Sequence, residues 1–104
     1  MAEKSNYEMI FCIINSGFSE TVMDAAREAG ARGGTVIRAR GTAGKEAEEL
    51  FKITVHPDKE VIMILVPKEI KDKVLSAIYH SAGMNTAGQG IAFSMAVNKT
   101  VGLQ

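Results

Sequence analysis

The sequence predicts an α+β fold in which four strands form one antiparallel sheet and two helices cover one of its faces. Apolar runs with the length of buried strands alternate with segments whose apolar residues recur every three or four positions, which is the spacing of one helix face. The order is strand, helix, strand, and then strand, helix, strand again. Two such split units make the βαββαβ arrangement called ferredoxin-like.

The first half of the chain supplies the clearer signals. Residues 7–14 are apolar and rich in isoleucine, as in a buried strand. Apolar residues then recur at intervals of four, three and four, which predicts a helix with one buried face: Phe18, Val22, Ala25 and Ala29. Gly30 follows the last of them and is expected to end the helix in a left-handed conformation. A second strand is predicted over residues 35–40.

The second half repeats this order with one addition. Residues 45–52 form helices readily but are few, so the sequence predicts only a marginal turn of helix there. We expect a turn at residues 56–58, a third strand over 60–66, a helix after Pro67 that ends at Gly83 as the first ends at Gly30, a loop over 84–90 and a fourth strand over 91–97. Because helices cover only one sheet face, the apolar residues of the other face need burial, which favours an oligomer.

Composition excludes several classes of protein. The 104 residues suit a single domain, 1–104, and 46% of them are apolar, enough for one core. Lys and Arg balance Asp and Glu at 12 each, which argues against binding to a nucleic-acid backbone. No apolar run is long enough to cross a membrane, and no signal-peptide cleavage site follows the first strand. The single Cys12 allows no internal disulfide, so a cytoplasmic location is the expectation.

Two glycine-rich loops are the candidate functional features. Residues 41–44 leave the second strand between Arg40 and Lys45, and residues 88–90 lead into the fourth. Glycines let several backbone N–H groups approach one anion, and the two cations could neutralise phosphate. The alternative is that these glycines only make turns, since neither loop matches the phosphate-loop or dinucleotide pattern.

Three segments resemble the PII signal-transduction proteins, the nitrogen regulatory family. Residues 30–41, GARGGTVIRARG, resemble the family's second-strand signature, and residues 88–93, GQGIAF, resemble its Gly-Asp-Gly-Lys-Ile-Phe segment. Leu65-Val66-Pro67 falls where the family ends its third strand. The resemblance spans about residues 7–99 in the right order, and it implies a regulatory protein rather than an enzyme.

The resemblance also implies a site. The family forms homotrimers whose three inter-subunit clefts bind ATP or ADP, and a long mobile loop, here 42–58, reports the ligand to a partner such as a membrane transporter or a metabolic enzyme. Carried over by position, Ile13, Thr35 and Leu65 would lie near the base. One subunit would line the phosphates with Arg40, Gly41, Thr42, Ala43 and Gly44, and the other wall would come from Gly88, Gln89 and Gly90.

Two departures from the family pattern alter the expected ligand. Ile91 stands where the family has a lysine, so one phosphate-binding cation is missing, and Gln89 replaces an acidic residue. The ligand is therefore expected to be an adenine nucleotide that need not be a triphosphate: ATP, ADP, AMP or a cyclic nucleotide.

Two alternatives share the fold. A trimeric ion-tolerance protein would need a cluster of ligands, whereas His56 and His80 lie far apart without a cysteine or carboxylate pattern, so no metal site is predicted. A small acylphosphatase-like enzyme would need an arginine in the loop after the first strand. That loop reads Asn15-Ser16-Gly17 instead.

Overall fold

Four strands form one antiparallel sheet with the order β2-β3-β1-β4. The computed structural model describes residues 6–42, 45–52 and 57–103. The strands are β1 (Tyr7–Asn15), β2 (Thr35–Arg40), β3 (Asp58–Pro67) and β4 (Ile91–Ala96). The helices are α1 (Ser19–Glu28), α2 (Lys45–Phe51) and α3 (Lys71–Ala82), the last preceded by a 3-10 turn over Lys68–Ile70. The predicted α+β, ferredoxin-like fold is confirmed.

The core lies between the sheet and the helices α1 and α3. Side chains alternate between the two faces of a strand, and every second residue of β1 and β3 is buried on the helix side. Both helices contribute aliphatic residues to the same cluster, whose larger members are Ile10, Cys12, Ile14, Val22, Ile62, Ile64, Val66, Val74 and Ile78.

The opposite side of the sheet, the open face, is also apolar. Its members follow from the strand register, and they are Met9, Phe11, Ile13, Ile37, Val61, Met63, Leu65, Ile91, Phe93 and Met95. The rings of Phe11 and Phe93 stack across β1 and β4 with centroids 5.4 Å apart. Phe93 is nevertheless 44% exposed and Met95 55% exposed in the single chain. The sequence prediction of an uncovered apolar face is therefore met, while the trimer remains a prediction.

The two helix-ending glycines act differently. Gly30 has φ +112°, the predicted left-handed conformation, and its N–H bonds to the carbonyl of Arg27. Gly83 was expected to do the same, but it has φ −68° and ψ −175°, which is extended. Its requirement for glycine comes from close packing, because a Cβ there would lie 2.5 Å from the carbonyl oxygen of Tyr79.

The strand β3 begins at Asp58, two residues earlier than the predicted start at residue 60. The register pairs Arg38 with Glu60 and Arg40 with Asp58, so opposite charges face each other across β2 and β3. The N–H of Gly41 then donates to the carbonyl of Pro57 at 2.7 Å. These contacts extend the pairing of β2 with β3 to polar residues, which a search for apolar strand residues does not detect. Of the expected turn at 56–58, His56 lies outside the described residues.

Gly90 is a site of close backbone packing, which gives a stability prediction. A Cβ at Gly90 would lie 2.5 Å from the Ala82 carbonyl oxygen and 2.7 Å from Cγ2 of the buried Ile14. Gly90→Ala should therefore lower the free energy of unfolding by about 1–3 kcal/mol, as overpacking does. Urea denaturation measures the change. The matched control is Gly33→Ala, since a Cβ at Gly33 meets nothing within 4 Å. Equal midpoints for the two variants would contradict the packing argument.

The thiol of Cys12 gives a second prediction. Burial raises the pKa of the Cys12 thiol from 9.0 to about 11, so the neutral thiol persists in the folded protein at pH 8. We expect a thiol-specific chromogenic reagent to modify Cys12 at pH 8 only when urea unfolds the chain. Because the folded pKa is raised, this group's contribution to stability is complete below pH 9.0 and falls as the pH rises through about 11. Rapid modification of Cys12 in the native protein would contradict the expectation that its thiol is buried and neutral.

Candidate functional site

The end of β1 joins the glycine-rich loop before β4 to the start of β3. Asn15 is only 4% exposed and is the buried polar side chain of the described residues. Its Nδ2 donates to the carbonyl of Ala87 at 3.0 Å and to Oε1 of Gln89 at 3.4 Å. Its Oδ1 accepts a hydrogen bond from Nζ of Lys59 at 2.6 Å. One side chain thus contacts both the loop before β4 and the start of β3.

The loop of residues 84–90, here the glycine loop, is held in a compact turn. The N–H of Gln89 donates to the carbonyl of Thr86 at 3.0 Å, and the N–H of Gly90 donates to that of Ala82 at 2.6 Å. Gly88 and Gly90 are buried, whereas Gln89 between them has φ +48°. A left-handed conformation is uncommon for a residue other than glycine, so the surrounding contacts must hold it.

The other end of the site is charged. Where β2 meets the start of β3, a small polar pocket of about 270 Å³ is lined by Ser16, Arg38, Ala39, Asp58 and Lys59. Two of these side chains are cations and one is a carboxylate. The charge balance therefore favours an anionic group at this end of the sheet.

An apolar cavity adjoins the glycine loop on its other side. It lies between α3 and β4, has a volume of about 480 Å³, and is lined by Leu75, Tyr79, Gly83, Met84, Gly90 and Ile91 among others. Its lining contains no cation. Volumes of this order are typical of small-molecule sites, and this one suits an uncharged or aromatic group.

The residues predicted to line a ligand fall into separate places on one chain. Ile13 and Leu65 both belong to the open face, but the register pairs Ile13 with Val61, four residues along β3 from Leu65. At about 3.4 Å per residue, the two lie about 14 Å apart along the strands. Thr35 lies between their levels, opposite Met63. A single chain therefore does not bring these three side chains into one pocket.

The remaining predicted residues divide between the two loops. Gly88, Gln89 and Gly90 lie in the glycine loop. Arg40, Gly41 and Thr42 lie at the end of β2, and Arg40 and Thr42 are exposed. Ala43 and Gly44 lie outside the described residues.

Sequence reasoning missed several residues that the structure brings to this site. The sequence predicts Asn15 in the loop after the first strand, yet it is the last residue of β1 and bonds to the glycine loop and to Lys59. Lys59 lies before the predicted third strand, 60–66, so the strand pattern does not include it. Tyr79 and Met84 line the apolar cavity, but nothing in their spacing distinguishes them from core residues. A polar residue at the end of an otherwise apolar strand was the one usable signal.

Comparisons with known proteins agree with this fold. PII from Arabidopsis thaliana, solved bound to citrate, superposes with a TM-score of 0.67 and 24% identity, covering 90% of this chain and 77% of that one. CPII from Thiomonas intermedia K12, solved bound to ADP, AMP and acetate, superposes with a TM-score of 0.68 and 17% identity, covering 97% and 92%. No curated protein matches the chain.

Further findings bear on the class of protein. Among the described residues, no group of three or more potential metal ligands is brought together. None of the described helices is both long enough and apolar enough to span a bilayer. The model of the family described as nitrogen regulatory protein P-II matches residues 7–104, almost the whole length. The chain therefore belongs to the nitrogen regulatory protein P-II family.

Proposed function

We propose that this chain is a nucleotide sensor that binds an adenine nucleotide in the clefts of a homotrimer and signals to a partner protein through segment 42–58. The observation that carries the proposal is the apolar cavity of about 480 Å³ beside Gly90. It is of the size that ligand sites have, and it adjoins the glycine loop that the family resemblance assigns to the nucleotide. A cytoplasmic location is part of the same proposal.

The cleft needs two subunits. Ile13 pairs with Ile91 directly after the glycine loop, whereas Leu65 lies four residues further along β3, so one chain does not gather the predicted base contacts and a neighbouring copy would supply the second wall. Packing of the open face against other copies would also bury the exposed side chains of Phe93 and Met95. Removing such apolar surface from water is worth roughly 25 cal/mol per Å².

The ligand would be divided between an apolar wall and a charged one. The cavity lined by Tyr79, Met84 and Ile91 suits the base. Arg38 in the polar pocket and the exposed Arg40 at the end of the same strand suit phosphate oxygens. CPII from Thiomonas intermedia K12 was solved with ADP and AMP, which supports an adenine nucleotide of few phosphates. Ile91, in the place of the family's lysine, supports the same choice because it offers no charge to a third phosphate.

Segment 42–58 would carry the signal. It contains the helix α2, on which Leu50 is 75% exposed. Its ends are joined where Gly41 bonds to Pro57 and Arg40 pairs with Asp58. A ligand at Arg40 would therefore act on the base of the segment, and the exposed Leu50 would be available to a partner such as a transporter or a metabolic enzyme.

The trimer is tested by its mass. Sedimentation equilibrium should give about three times the chain mass of 11.2 kDa. Phe93→Glu should shift the mass toward a single chain, because it places a charge on the open face. The control is Val101→Glu, since Val101 is 90% exposed and lies outside the strands. A stable monomer at micromolar concentration would refute both the trimer and the two-walled cleft.

Nucleotide binding is tested by calorimetry with ATP, ADP, AMP and cyclic nucleotides. A charge-assisted contact is worth roughly 1.5–3 kcal/mol, so Arg40→Ala should weaken binding by about ten- to hundredfold. The control is Arg27→Ala, which removes a cation from the surface of α1, where it pairs with Asp24 at 3.7 Å. If none of these nucleotides binds below about millimolar concentration, the proposed ligand is wrong.

A further inference from the structure

The side-chain amide of Asn15 has one defined orientation. Its Nδ2 lies within reach of two oxygens, the Ala87 carbonyl and Oε1 of Gln89, while its Oδ1 lies 2.6 Å from the Lys59 ammonium. Rotating the amide by half a turn would set an N–H against the ammonium and an oxygen against two oxygens. An amide nitrogen only donates and a carbonyl oxygen only accepts, so the rotated form loses all three contacts.

This orientation in turn orients Gln89. Because Oε1 of Gln89 accepts from Asn15, the planar amide directs its Nε2 away from Asn15. The backbone of Gln89 is at the same time held at φ +48° between two buried glycines. Gln89 therefore presents a donor, where an acidic residue would present only an acceptor.

The backbone at the end of β1 also bonds to the glycine loop and to the start of β3. The N–H of Asn15 donates to the carbonyl of Gly88 at 2.9 Å, and the N–H of Ser16 donates to the carbonyl of Asp58 at 3.0 Å. The strand end is therefore fixed to the glycine loop and to the start of β3 even without the Asn15 side chain. Substitution at Asn15 changes the link between Gln89 and Lys59 while these backbone bonds keep both segments in place.

We propose that Asn15 is a positioning residue that couples Gln89 of the glycine loop to Lys59 at the base of segment 42–58, so that displacement of one side chain moves the other. The inference deepens the proposed function, on which it rests for the identity of the ligand that moves Gln89. It assigns to Asn15 the transmission of binding from the glycine loop to the segment that meets the partner.

Two substitutions separate the links that Asn15 makes. Asn15→Asp has nearly the same shape and keeps an acceptor for Lys59, but it loses both donors to the glycine loop. Of the links that Asn15 makes, Gln89→Met removes only the one to Gln89, and it also removes the amide donor of Gln89. The matched control is Thr86→Val, which removes the bond from Thr86 Oγ1 to the Gly83 carbonyl within the same loop but leaves Asn15 untouched.

The first measurement needs no ligand. In ligand-free protein we expect Asn15→Asp to speed amide exchange at Gln89 and Gly90 by about tenfold, the equivalent of one lost hydrogen bond. Gln89→Met should shift the NMR signal of the Lys59 side-chain nitrogen, although the two residues lie at opposite ends of the link. Thr86→Val should leave that signal in place. If the NMR signal of the Lys59 side chain does not shift in Gln89→Met, the proposed coupling is wrong, even if amide exchange in the glycine loop becomes faster.

The second measurement uses ADP and separates this inference from the proposed function. If the unaltered protein binds ADP, Asn15→Asp should weaken binding about tenfold and Thr86→Val should not. Equal affinity in Asn15→Asp and the unaltered protein would overturn the inference and leave the nucleotide site standing. If the unaltered protein binds no nucleotide, the proposed function fails, and the Lys59 signal alone decides whether Asn15 couples the two loops.

Discussion

The antiparallel pairing of β1 with β3 sets the position of nearly every feature of the site. The two strands pair along the whole of β1, from Tyr7 opposite Pro67 to Asn15 opposite Lys59. This register places four isoleucines of the two strands in the core with Cys12 and turns the alternate residues to the open face. It also brings Lys59 to the end of β1, where the side chain of Asn15 bonds to it. A slip of one residue would turn every one of these side chains to the other face.

The elements with strong periodicity could be predicted from the sequence, and the polar ends of strands could not. The bounds of β2 were predicted as they are found, because Thr35–Arg40 begins after two glycines and ends at a third. β3 was predicted too short, since Asp58 and Lys59 belong to it through cross-strand pairing that an apolar pattern does not record. The predicted left-handed conformation of Gly83 was wrong, since its backbone is extended. The close approach of Gly83 to the Tyr79 carbonyl, which excludes a side chain there, is not visible in the local sequence.

The candidate site could be predicted only as loops, not as a pocket. The family resemblance identified the glycine loop and the end of β2, but the apolar cavity depends on Tyr79 and Ile91, which come from different elements. Residue spacing alone cannot tell that Ile13 and Leu65 lie at different levels of the open face. The link through Asn15 needs three separate chain segments, so it follows from tertiary structure alone.

The left-handed backbone of Gln89 limits how this site can diversify. Asn, Asp and Gly adopt positive φ with the least strain, whereas β-branched residues are strongly disfavoured there. Packing excludes a side chain at Gly90, where a Cβ would collide with Ala82, and leaves little room at Gly88, where a Cβ would lie 3.3 Å from the Ala82 carbonyl oxygen. Substitution within Gly88–Gly90 is thereby largely confined to position 89 and to a short list of residues. Within that list the charge that the loop carries changes from neutral to negative in a single substitution, without any change in the path of the chain.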